Sequence, residues 1–83
     1  MEIRPNAYMW RQVADEIKRR IEAGQYGPGM PIPAERRLAE ELGVSIKTVR
    51  RAVAELRDEG ALETLPQKGT FVAEGRQGGD PRS

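Results

Sequence analysis

The chain has 83 residues, fourteen Lys and Arg against thirteen Asp and Glu, a net charge of +1, and neither cysteine nor histidine. Those figures fit one small domain and exclude disulfides, thiol catalysis and the common zinc sites, so no metal or cofactor is expected. No apolar run reaches membrane-spanning length and no signal-peptide core opens the chain, so a soluble, cytoplasmic protein with no membrane partner is expected.

Residues 1–6 (MEIRPN) read as a flexible lead, with Asn6 able to cap a helix beginning at Ala7. From about Ala7 to Ala23, Trp10, Val13, Ala14, Ile17 and Ile21 recur at helical spacing, and Gly24 stops the pattern. Arg11, Lys18, Arg19 and Arg20 fall on the outward face of this first helix. Residues 25–33 (QYGPGMPIP) are rich in turn formers, and Met30 to Ile32 can pair as a short strand.

The next stretch carries the most information. From about Glu35 to Leu42, Leu38, Ala39 and Leu42 give a second helix its apolar stripe, and Gly43 breaks it. Val44 re-enters the core, Ser45 caps a third helix from about Ile46 to Asp58, and Val49, Ala52, Val53 and Leu56 form its buried face. Two helices joined by so short a turn make a helix-turn-helix, whose second helix is shaped for the DNA major groove. Residues 44–51 hold Lys47, Arg50 and Arg51 and no acid, a local field that attracts phosphate although the whole chain is nearly neutral.

After Gly60, Leu62 to Leu65 and Thr70 to Val72 read as strands joined by Pro66-Gln67-Lys68-Gly69, a hairpin placed where a wing would lie. Such a wing can set Lys68 and Thr70 against phosphates of the adjacent backbone or minor groove. Residues 74–83 contain no apolar side chain and are expected to be disordered. The expected fold is α+β and mainly α: a winged helix-turn-helix over residues 7–73, three helices followed by a β-hairpin.

From Trp10 to Val72 the sequence resembles the winged-helix DNA-binding domain of GntR-type bacterial transcription regulators. The matching stretches include I21-x-x-G24, P28-G29, I32-P33-A34-E35-R36-x-L38-A39, L42-G43-V44-S45, T48-V49-R50-x-A52, L56, G60 and G69-T70-F71-V72. The resemblance implies binding to double-stranded operator DNA, usually as homodimers on palindromic sites, with a repressor the expected sign. It places DNA contacts on Arg36, Ser45, Lys47, Thr48 and Arg50, and on the wing at Gln67, Lys68 and Gly69. Arginine at position 50 is suited to bidentate reading of guanine, and Ser45 can cap its helix and meet phosphate at the same helix end.

Three positions depart from the family pattern. Ile46 stands where arginine is common, and either packs on a thymine methyl or covers part of the turn. Gln67 replaces a glycine often found at the wing tip. Arg51 replaces a common acid and adds charge beside Arg50. The family's C-terminal effector domain has no counterpart here; the chain is either an excised domain or a short stand-alone regulator, and the polar tail reads like the start of a linker.

Other candidates for chemistry have plainer readings. Trp10 is in register with the core positions, Phe71 is expected to anchor the wing on the third helix, and Tyr26 to pack in its loop. The acid pairs Asp15–Glu16, Glu40–Glu41 and Asp58–Glu59 are adjacent on helices, where neighbours diverge, so they suit solvation better than acid–base catalysis. The GPG segment at 27–29 lacks the donors and the lysine of a phosphate loop. No enzyme is expected. The alternative to DNA binding is a winged helix used as a protein-interaction module.

Overall fold

The computed structural model describes residues 8–74. The lead over 1–6, its Asn6 cap and the tail beyond Glu74 lie outside the described residues. Three helices, α1 (Met9–Glu22), α2 (Glu35–Leu42) and α3 (Ile46–Asp58), precede an antiparallel hairpin of β1 (Leu62–Leu65) and β2 (Gly69–Val72). Helix α1 begins two residues later than the periodicity predicts, because Tyr8 takes the capping position with extended backbone and its carbonyl accepts the first helical bonds.

The core reflects helical spacing. Val13 and Ile17 of α1, Leu38 of α2, and Val49, Val53 and Leu56 of α3 are fully buried, with α3 in the middle of the bundle. Removing one of the larger of these side chains costs about 2–5 kcal/mol, a large share of what so small a domain has. Gly43 closes α2 in the left-handed region (φ 71°), and its N–H and that of Val44 both donate to the Ala39 carbonyl. That cap turns the chain sharply enough for Ser45 to start α3 two residues later.

The wing is sewn to the bundle at its base. Leu62 pairs with Val72, Glu63 with Phe71, Thr64 with Thr70 and Leu65 with Gly69. Leu62 and Val72 are the buried pair. Strand alternation then turns Phe71 to the other face, half-buried and bridged to Pro31, so the expectation that Phe71 anchors the wing on α3 is corrected: Leu62 and Val72 do so. Residues Met30 to Ile32 pair with β2 as expected, through Val72 N–H to the Met30 carbonyl (2.8 Å) and Ile32 N–H to the Thr70 carbonyl (3.0 Å). On the α3 side, Arg57 donates to the Thr64 hydroxyl, itself 3.2 Å from that of Thr70.

A polar clamp ties α1 to α2. Arg20 donates to Glu16 (3.0 Å), to the Tyr26 hydroxyl (3.0 Å) and to Glu41 (3.2 Å), and Arg37 also donates to Glu41. Tyr26 is thereby a buried packing residue of its loop, as its setting between glycines suggests.

Candidate nucleic-acid interface

Helix α3 is presented by its own cap. Ser45 has extended backbone, its Oγ accepts the Thr48 N–H (3.1 Å), and the two hydroxyls lie 2.9 Å apart. This satisfies one of the amides at the helix start and leaves those of Ile46 and Lys47 without an intrahelical acceptor, at the positive end of the helix dipole. Ile46 is half-buried and packs against the core cluster. Lys47 beside it is exposed.

The cations divide into engaged and unengaged groups. Lys18, Arg19, Arg20, Arg37, Arg50 and Arg51 each bond an acid, five of them at 3.0–3.2 Å and Arg19 at 2.6 Å. Arg57 bonds Thr64, and Arg11 lies over the Trp10 ring at 5.2 Å. Arg36, Lys47 and Lys68 are exposed and have no ion pair, side-chain hydrogen bond or ring contact among the described residues. These three stand at the start of α2, the start of α3 and the tip of the wing. A phosphate can bind them without displacing an internal acid.

The same three elements meet around a groove of about 350 Å³, whose walls include Ile32, Glu35, Val53, Lys68 and Thr70. Glu35, in the first turn of α2, accepts a bond from Arg50 Nε at 3.1 Å. Arg50 is thus held beside the wing-facing groove, with its side chain two-thirds exposed. Arg51, the next residue, goes elsewhere: its guanidinium lies 4.6 Å from the centre of the Trp10 ring on α1, and its Nε bonds Glu55. Adjacent helical positions diverge by about 100°, and here one arginine takes the α2 side and the other the α1 side.

The wing tip has one unusual residue. Lys68 N–H donates to the Leu65 carbonyl (3.0 Å), which makes Pro66 and Gln67 the centre of a reverse turn. Gln67 has φ 63° and is the non-glycine residue with positive φ among those described. Proline first and a left-handed residue second is the type II pattern, where glycine is the favoured second residue. Gln67 and Lys68 are both exposed at this tip, and Gly69 starts β2.

Two participants are not visible as such in the sequence. Glu35 belongs to a matching stretch, but its partner Arg50 is fifteen positions away, a spacing without meaning until α2 and α3 are packed. The Arg51–Trp10 contact likewise depends on how α1 crosses α3.

Three helices, a short left-handed turn between the second and third, and a hairpin with an exposed basic tip define a winged helix-turn-helix. The chain matches the family described as "Bacterial regulatory proteins, gntR family" over residues 10–72, and it belongs to that family. It is 42% identical over 65 residues to the HTH-type transcriptional repressor NagR of Bacillus subtilis (strain 168), covering 78% of this chain and 27% of NagR. It is 41% identical over 68 residues to the mannosyl-D-glycerate transport/metabolism system repressor MngR of Escherichia coli (strain K12), covering 82% and 28%. The chain therefore spans about a quarter of the length of these relatives.

Among solved structures, AraR(DBD) in complex with operator ORR3 superposes with a TM-score of 0.73 at 39% identity, covering 77% of each chain. A GntR family transcriptional regulator from Listeria monocytogenes gives a TM-score of 0.82 at 28% identity, covering 87% of this chain and 63% of that one. No described helix is long and apolar enough to cross a membrane.

Proposed function

We propose that this chain is the DNA-reading domain of a transcription repressor and binds specific double-stranded sites with α3 in the major groove. The single observation that carries the reading is the placement of exposed cations that have no side-chain partner among the described residues, Arg36, Lys47 and Lys68, at the start of α2, the start of α3 and the tip of the wing. The repressor names of NagR and MngR and the operator in the AraR complex support it.

The roles divide by chemistry. Lys47, Thr48, Ser45 and the free amides of the α3 start take a phosphate, and Arg36 takes another or leans into the groove. Arg50 reads a guanine edge through its terminal amino groups. Lys68, Gln67, Gly69 and Thr70 set the wing against the neighbouring backbone. Arg51, committed to Trp10 and Glu55, supports α3 from behind. A palindromic operator and pairing of two copies on DNA accord with the resemblance to the family.

Selection from a random duplex pool, then anisotropy titrations of the enriched site at several salt concentrations, tests the reading. An enriched half-site with a steep log–log salt dependence is expected. Absence of binding even at low salt would transfer the fold to a protein-docking role.

A further inference from the structure

We propose that Glu35 is a positioning residue for base recognition, holding Arg50 by its Nε so that only the two terminal amino groups face the DNA. The inference rests on the reading of Arg50 as the guanine-contacting residue.

The pair spans two helices: Arg50 Nε to Glu35 Oε1 at 3.1 Å, with side chains 67% and 36% exposed. An ion pair so exposed contributes little to stability, so its consequence lies in where it points the guanidinium. Arginine carries five donors in a fixed fork. With Nε taken, the side-on fork of Nε and one amino group is closed. What remains is the end-on pair of amino groups, which matches O6 and N7 of guanine. No protein partner takes those two groups among the described residues.

Charge works in the same direction. A guanidinium bonded to a carboxylate forms a nearly neutral unit, which gains less from the phosphate field than a lone arginine does. Its directional donors are unaffected. Glu35 thus lowers attraction to any duplex while leaving the base-specific bonds available, and so widens the gap between right and wrong sequences. The other arginines of α2 and α3 that pair with an acid among the described residues do so within one helix. Arg37 and Arg51 pair with acids four residues along their own helices, whereas Glu35 is supplied by α2 at the edge of the groove that Lys68 and Thr70 line. The α2 N-terminus has no side-chain cap from Ala34, and its dipole steadies the Glu35 carboxylate there.

The test compares the 83-residue chain with Glu35→Gln, Glu35→Ala, Arg50→Ala and the Glu35→Gln/Arg50→Ala double variant. Each is titrated against the selected site, its single-base variants and a random duplex, with thermal melts to verify folding. Glu35→Gln and Glu35→Ala should melt like the parent and bind random duplex a few-fold more tightly. Their salt slope should steepen by up to about 1 as Arg50 is released to phosphate, and preference at one base pair should relax about tenfold. In the Arg50→Ala background, Glu35→Gln should leave base preference unchanged. Unaltered preference in both Glu35 variants, while Arg50→Ala relaxes it, would overturn the positioning role. So would an equal effect of Glu35→Gln with and without Arg50. If Arg50→Ala instead weakens every sequence alike, the base-reading assignment itself fails and takes the inference with it.

Discussion

Arg51 lies over Trp10 at 4.6 Å while its neighbour Arg50 bonds Glu35 at 3.1 Å, so two consecutive arginines of α3 serve different neighbours, one on α1 and one on α2. Removing them should therefore have different effects. Arg51→Ala deletes a cation–π contact of about 0.5–1 kcal/mol and should lower the urea midpoint slightly, with base preference intact. Arg50→Ala should cost about 1–3 kcal/mol on the selected site and flatten preference at one position. Competition titrations on matched and single-mismatch duplexes separate the two, and a loss of base preference in Arg51→Ala would contradict this division.

Lys68 offers a contrasting case at the wing. With no side-chain partner among the described residues, its removal should leave folding untouched and weaken all duplexes alike. The salt slope of Lys68→Ala should be shallower by about 1 than that of the parent. An unchanged slope would place the wing tip away from the phosphates.

Ser45→Ala removes the acceptor of the Thr48 N–H and should destabilise the domain by about 1 kcal/mol. Ser45→Asp keeps an acceptor and should retain the stability, while the added negative charge at the α3 start weakens DNA binding. Urea unfolding and anisotropy measured on both variants test the two roles separately.

Gln67 sits at φ 63°, a conformation that costs a residue with a side chain about 1–2 kcal/mol. Gln67→Gly relieves that strain and gives back part of it through the greater freedom of the unfolded chain. A net gain of about 0.5–1 kcal/mol is expected, read as a higher urea midpoint. Gln67→Val should move the midpoint the other way.

The clamp between α1 and α2 predicts a pH dependence. Hydrogen bonding from Arg19, aided by Arg20, holds the Glu16 carboxyl below its ordinary value despite an opposing effect of burial. Bonds from Arg20 and then Arg37 do the same for Glu41. A carboxyl depressed on folding contributes stability above its ordinary value of 4.5, and loses that contribution as pH falls through the depressed folded value. The urea midpoint should therefore drop between about pH 5 and pH 3, and Arg20→Gln should show a smaller drop over the same window.

Much of the frame is legible in the sequence because it depends on local patterns. The Val49, Ala52, Val53 and Leu56 spacing marks α3, Gly43 marks the turn, and Ser45 marks the cap. Phe71 misleads because a large aromatic ring outweighs a valine by size, whereas strand register obeys alternation, and Val72 is the residue committed to the core. The start of α1 reads too early because periodicity alone does not mark where helical bonds begin. Arg50 and Arg51 are the harder problem. Residue type marks both as cations, but only the packing of α1 and α2 on either side decides which one is left near the groove.

The backbone bond from Ile32 to Thr70 joins the wing to the segment that leads directly through Pro33 and Ala34 into α2. Wing and helix start therefore form one strut, braced at its base and free at its tip. Lys68 at the wing tip and Arg36 in the first turn of α2 are thus tied to each other through β2 and Ile32. The spacing between Lys68 and Arg36, two side chains far apart in the chain, is thereby set by one backbone bond rather than by either side chain.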